Sequence, residues 1–349
     1  MYFETVLAVA ITLGLLIYAH EFGHFAACKL LGVRVEEFAF GFWKRLVVLG
    51  RRRGTVYTIN ALPLGGFVKI AGMEPGEESP PDGFNAQSAF RRALIIFAGP
   101  FMSLVLACTV FWLIGATWGY PTGSSENKVA FVQEGSPAQK MGLRRGDTMI
   151  VIDHTRVRSG DHMRNLIYKS GGKRLRVVVT RNGGDRIVLY GTPQLEKDSK
   201  SKRYLLGFIP EQKLQRTSLA ESFKQGSFTA FAMGRALLIT LTSKRIKSDV
   251  GGPIAMGQAI HSDVQLGWYW VILRIGMLSL TIFVVNLFPI PVLDGGHLML
   301  ILIEKLRGRR LTKEQFEVVT AVGLAVIAAL FVLLLYADVS RLINHTPVQ

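Results

Sequence analysis

The sequence is short of cysteine and short of acid. Its two cysteines, Cys28 and Cys108, both fall in apolar runs, which excludes a disulfide framework and leaves two buried thiols. Acidic residues number 25 against 41 lysines and arginines, a net charge of +16. No basic segment precedes the first apolar run and no small-residue cleavage site follows it, so no cleavable signal peptide is expected. Internal repeats and low-complexity tracts are also missing. Residues 94–118 contain no charge at all. With 49% hydrophobic residues, the chain is too apolar for an ordinary soluble enzyme.

Four long apolar stretches account for the excess: residues 6–31, 94–118, 275–303 and 318–337. Each reaches the roughly 20 residues that a helix needs to cross a hydrocarbon core. The positive charge could suggest nucleic acid, but its placement argues for topology. Arg51, Arg52, Arg53, Arg91 and Arg92 flank the first two stretches, and Arg307, Arg309, Arg310 and Lys313 lie between the last two. By the positive-inside rule both clusters are cytoplasmic. The termini and the segment from 120 to 274 then lie outside. Membrane lipid, not nucleic acid, is the expected partner of these charges.

Between the first two spans, residues 33–35, 38–40, 56–59 and 67–70 read as strands, with Gly50, Gly54 and the Gly65-Gly66 pair supplying turns. Residues 73–85 read as a mobile loop rich in Pro, Gly and acid. Beyond the second span, strands are expected at 129–132, 148–152, 175–180 and 186–190, the last two joined across Asn182-Gly183-Gly184. Ser136 opens a short helix that stops at Gly142, and Asp161 to Tyr168 reads as a second helix. Residues 218–242 read as an amphipathic helix at the outer surface, because Arg235 at the middle of a span would cost about 2.5–3.5 kcal/mol.

The first span carries His20-Glu21-Phe22-Gly23-His24. Histidines four apart lie one turn apart on one helical face and can reach a single ion. Imidazole is a zinc ligand, and Glu21 lies beside such a metal, where it can take a proton from an activated water and pass it to a leaving amine. Three polar ionisable residues at membrane depth are costly and mark function. Two histidines and a water leave one tetrahedral position open. The third span holds Asn286-Leu287-Phe288-Pro289-Ile290-Pro291-Val292-Leu293-Asp294-Gly295-Gly296-His297, with the one acid of its apolar run. Two prolines and two glycines break the helix there, and broken backbone at membrane depth needs a protein-lined cavity. Asp294 alone would read as a helix cap; beside an unfilled ligand position it reads as the third zinc ligand. His297 reads as a neighbour of the site. Asn286 either donates to substrate or satisfies the broken helix.

These motifs resemble the site-2 protease family, in its bacterial sigma-E regulator branch, over nearly the whole chain. Gly65-Gly66-Phe67-Val68-Lys69, Ala98-Gly99-Pro100 and Gly251-Gly252-Pro253-Ile254 strengthen the resemblance. It implies Zn2+ held by His20, His24 and Asp294, Glu21 as catalytic acid/base, and cleavage of a single-span membrane protein, typically an anti-sigma factor. Gly135-Ser136-Pro137-Ala138 and Gly142-Leu143-Arg144-Arg145-Gly146-Asp147 resemble a bacterial PDZ domain, whose peptide-binding loop would fall at Leu206, Gly207 and Phe208. One such domain fits where enterobacterial members carry two. The expected fold is a polytopic α-helical membrane protein with a membrane-surface β-hairpin and an inserted α+β PDZ domain.

The divisions are a first span at 1–31, a cytoplasmic-side hairpin and loop at 32–92, and a second span at 93–118. The PDZ domain occupies 124–212, an amphipathic helix and linker 213–268, a broken third span 270–306 and a fourth span 316–338. The setting implied is a bacterial inner membrane, with termini and PDZ domain periplasmic and the latter open to a peptide or protein ligand. A strand edge at Gly66, Phe67 and Val68 would hold an unwound substrate extended. The competing class is an inactive zinc-binding scaffold holding partners on its PDZ domain, against which the presence of Glu21 argues.

Overall fold

The first apolar run forms helix α1, Tyr2–Leu30, with the His-Glu-x-x-His group two thirds of the way along it. The computed structural model describes residues 2–74, 79–181, 184–195, 203–242 and 251–344. The chain divides into two compact units, Met1–Ile114 with Leu219–Gln349, and Gly115–Ser218.

In the first unit, α1 is followed by a long antiparallel hairpin of β1, Val35–Arg52, and β2, Thr55–Ile70. The helices are then α2, Ala89–Thr117; α5, Leu219–Thr242; α6, Pro253–Leu266; α7, Trp268–Asn286; α8, Asp294–Arg307; and α9, Lys313–Asn344. Among the described residues, four segments are long and apolar enough to cross a membrane: Glu4–Leu30, Ala89–Thr117, Trp268–Asn286 and Lys313–Ile343. Much of their apolar surface stays open, as at Val318, Val322 and Val332 of α9, which suits helices whose outer faces meet lipid. This is the architecture of a multi-pass membrane protein.

Three apolar clusters hold the unit together. Cys28, Val33, Ile70, Ile95, Ile96 and Ile301 join α1, the hairpin, α2 and α8. Leu16, Val110, Ile114 and Ile275 join α1, α2 and α7, and Ala107, Phe111, Ala230 and Leu280 bring in α5. The start of α6 is fixed differently. Buried Asp338 of α9 accepts from the amides of Gly252, Ile254 and Ala255 at 3.0, 2.9 and 3.1 Å. These are orphan donors of a helix N-terminus, satisfied by a carboxylate from another element.

Two expectations need correcting. Of the glycines expected to turn the hairpin, only Gly54 does so, with Arg53 in the two-residue turn between paired Arg52 and Thr55. Gly50 lies within β1 and Gly65-Gly66 within β2, because the strands run on past them with irregular register. The expected linker before the third span contains α6, whose Gly252-Pro253 start is a favourable helix entry. The third span is broken where the prolines stand, as expected: α7 ends at Asn286, Pro289 and Pro291 withhold amides, and α8 starts anew at Asp294.

The second unit contains β3, Tyr120–Val132; α3, Pro137–Lys140; β4, Thr148–Ile152; β5, Thr155–Arg156; and α4, Gly160–Lys169. After these come β6, Leu175–Arg181; β7, Asp185–Gly191; β8, Gln194–Leu195; β9, Tyr204–Leu205; and β10, Phe208–Gln215. The main sheet has the order β10-β3-β4-β6-β7, with β5 on β4. Its core gathers Met149, Met163, Val177, Val179 and Leu206. Fully buried Asp147 accepts two hydrogen bonds from Arg181, at 2.8 and 2.7 Å, and one from the Arg144 amide. The expected Asn182-Gly183 turn and residues 75–78 of the expected mobile loop lie outside the described residues.

Candidate active site

His20 and His24 are each 8% exposed, and their Nε2 atoms lie 3.4 Å apart. The helix brings them together through its turn of 3.6 residues. Asp294, distant in sequence, arrives from the start of α8. Its Oδ2 is 3.0 Å from His20 Nε2 and its Oδ1 3.5 Å from His24 Nε2. Among the described residues no side chain caps the α8 N-terminus, so the carboxylate is committed to the histidines and not to a cap.

The loop before α8 permits this. Residues 287–293 fold back against the first turn of the helix. A Cβ on Gly295 would stand 2.3 Å from the Phe288 carbonyl oxygen, and one on Gly296 the same distance from that of Ile290. Only glycine admits that approach. Val292 in this loop has φ of 91°, a strained value for a β-branched residue and one that is typical of functional sites.

Hydrogen bonds from α2 decide which face each imidazole presents. His24 Nδ1 lies 2.8 Å from the Ile95 carbonyl oxygen. A carbonyl only accepts, so Nδ1 carries the hydrogen and Nε2 a lone pair. His20 Nδ1 meets Ser103 Oγ at 3.1 Å, and that hydroxyl in turn donates to the Gly99 carbonyl. Both histidines therefore turn bare nitrogens toward the Asp294 carboxylate. Asp294 Oδ2 is buried and makes no hydrogen bond among the described residues. The ligand atoms of the three residues all fall within 4.8 Å of one another. Three lone-pair donors converging with no hydrogen between them fit a divalent cation, and two nitrogens with one carboxylate oxygen suit zinc in a site with an open position.

Glu21 lies beside this cluster and accepts from the Val68 amide at 3.2 Å. The four residues line one cavity of about 250 Å3 together with Val68, Asn286 and His297. Gly23 and Gly99 let α1 and α2 close to the needed distance: a Cβ on Gly99 would sit 2.2 Å from His24 Nε2.

A family model described as Peptidase family M50 matches residues 8–330. The chain belongs to peptidase family M50. Curated relatives agree along nearly the whole length, and each carries the provisional name of a zinc metalloprotease. One from Clostridium acetobutylicum is 32% identical over 347 residues, covering 98% of this chain and 99% of its own. One from Campylobacter jejuni is 31% identical over 357 residues, covering 97% and 94%. A third, from Clostridium perfringens, is 32% identical over 330 residues, covering 93% and 95%. This M50 peptidase is thus a zinc metalloprotease of the site-2 type.

Asn286 ends α7, and its Nδ2 donates to the Ile282 carbonyl at 3.0 Å, so it satisfies the broken helix while still facing the cavity. Gly66, Phe67 and Val68 lie on β2, and the Val68 amide is turned to the peptidase centre. Leu206 is 1% exposed, in the core of the second unit; any ligand contact there would be through its backbone. The Leu206 and Gly207 carbonyls accept from Ala138 and Gln133, and Phe208 opens β10. Sequence reasoning missed Ser103 and the Ile95 carbonyl. A serine four residues beyond Gly99, on the same face of α2, was the available signal.

Proposed function

We propose that this M50 peptidase hydrolyses a peptide bond in or near the transmembrane segment of a single-span membrane protein, typically an anti-sigma factor in an envelope stress response. The observation that carries the reading is the position of the cluster: His20, Glu21 and His24 lie inside a membrane-length helix. His20, His24 and Asp294 would hold Zn2+, which when bound acidifies a water and polarises a scissile carbonyl. Glu21 takes the proton of the attacking water and delivers it to the leaving amine. Asn286 is available, beyond its bond to Ile282, to donate to developing oxyanion charge.

A helical substrate hides its carbonyls in internal hydrogen bonds, so it must unwind before it is cut. The β2 edge at Gly66, Phe67 and Val68 holds the unwound segment extended through main-chain pairing. The far half of the hairpin, with Trp43, Leu46 and Leu49 exposed beside Arg51 and Arg52, rests in the bilayer interface, and α5 lies on the outer surface. The unit at 115–218 is a single PDZ domain whose Leu206-Gly207-Phe208 segment and β10 edge take an extended peptide or protein ligand. The membrane is the bacterial inner membrane, with the PDZ domain and both termini periplasmic and the arginine clusters cytoplasmic.

The test is co-expression of a single-span model substrate with the wild type and with Glu21→Gln. The variant should retain zinc and lose cleavage. Equal cleavage by the two removes Glu21 from its role.

A further inference from the structure

Beside the catalytic cavity lies a second, larger chamber of about 400 Å3. The two share a wall made of Val68, Ile70, Met73, Val292 and His297. The far side of the chamber is apolar, built from Phe84, Leu300, Ile301 and Phe316. Arg92, Glu304 and Arg310 close its polar end.

That polar end is only partly satisfied. Arg92 has a side chain 6% exposed and gives both terminal nitrogens to Glu304, at 2.9 and 2.6 Å. Glu304 also accepts from Arg310 at 3.2 Å. Arg92 Nε is buried with no hydrogen-bond partner among the described residues. A buried guanidinium with an unspent donor is costly unless a further acceptor arrives. The apolar walls belong to the segment between β2 and α2, to α8 and to α9, and α8 also carries Asp294.

The course of β2 gives the chamber a use. Val68 is bonded to Glu21 and lines both spaces, and Ile70, two residues on, points to the same side of the strand. A peptide paired along this edge passes from Glu21 into the chamber at about 3.3 Å per residue. Val292, strained at φ of 91°, stands on the threshold.

Building on the protease reading above, we propose that this chamber is a substrate subsite. It receives about two or three residues on one side of the scissile bond and selects apolar side chains. Leu300 and Phe316 set the size of side chain admitted.

The experiment uses the full-length protein in proteoliposomes with single-span model substrates, the cut being located by mass spectrometry. Each of the three residues on either side is set in turn to Ala, Leu, Trp or Asp. On one side only, Leu should exceed Asp in kcat/KM by at least about tenfold, the scale of one well-filled apolar pocket. Leu300→Trp, which fills the chamber, should compress the Leu-over-Ala ratio, and Phe316→Ala, which opens it, should shift preference toward Trp. These opposite signs are not produced by general damage to the fold. Equal changes across the panel in both size variants overturn the subsite while leaving the protease reading intact. A wild type that cuts no member of the panel overturns the protease reading itself, and the subsite with it.

Discussion

The amide of Val68 donates to Glu21 Oε2 over 3.2 Å, so the proposed acid/base residue is tied to the edge of a two-stranded sheet. In an antiparallel pair, a residue's N–H and C=O point to the same side. Those of Val68 turn away from β1 and toward α1. A substrate lying on this edge would be held beside Glu21 by the strand that positions it.

Val68→Pro removes that donor without taking a ladder bond from β1. Cleavage of a membrane model substrate should fall at least tenfold, with zinc content unchanged by elemental analysis. Unchanged cleavage would sink the role of the strand edge.

Ser103 reaches the proposed metal site through His20. Removing such an outer partner typically lowers metal affinity about 10–100-fold. Ser103→Ala should shift zinc retention in chelator titration by that factor, whereas Ser103→Thr, which keeps a hydroxyl, should recover most of it.

Gly99 marks the closest approach of α2 to His24. A methyl group there would stand 2.2 Å from His24 Nε2, so Gly99→Ala must displace the imidazole. The variant should remain membrane-inserted and lose stoichiometric zinc. Full zinc occupancy would show that the helices separate more readily than their packing implies.

Asp338 satisfies three amides at the start of α6. Asp338→Leu leaves those donors unpaired and should destabilise the first unit by about 1–3 kcal/mol, the cost of buried unmet polar groups. Hydrogen exchange should locate the loss at residues 252–256.

Glu37 of β1 supplies a pH dependence. Burial alone would raise its carboxyl, but hydrogen bonds from Arg45 and Thr58, with the charge of Arg45, outweigh this and hold it below its ordinary value. A carboxyl depressed in the folded state stabilises fully above its unfolded pKa, about 4.3, and that stability is lost as pH falls through the folded value. Exchange of the β1 and β2 amides should therefore accelerate below about pH 4. Glu37→Gln should abolish that step.

Local chemistry was readable in the residues themselves. Membrane-length apolar runs, histidines one turn apart and a proline-broken segment follow from composition and helical period, which need no tertiary information. The glycines of the hairpin misled, because a glycine marks a turn and an irregular strand alike. The helix α6 was hidden in what read as linker, since its N-terminus is completed by Asp338, 83 or more residues away in sequence.

By itself, then, the sequence determined the span-forming runs, the His20, Glu21 and His24 triplet, and the break that frees Asp294. Only the tertiary structure decided that Asp294 turns to the histidines instead of capping α8, that Ile95 and Ser103 fix which imidazole nitrogens face it, and that Val68 holds Glu21. Spacing along one helix is encoded within a few residues. The approach of α2, β2 and α8 depends on glycine-sized gaps and hydrogen bonds between segments far apart in the chain, and those exist only once the helices have packed.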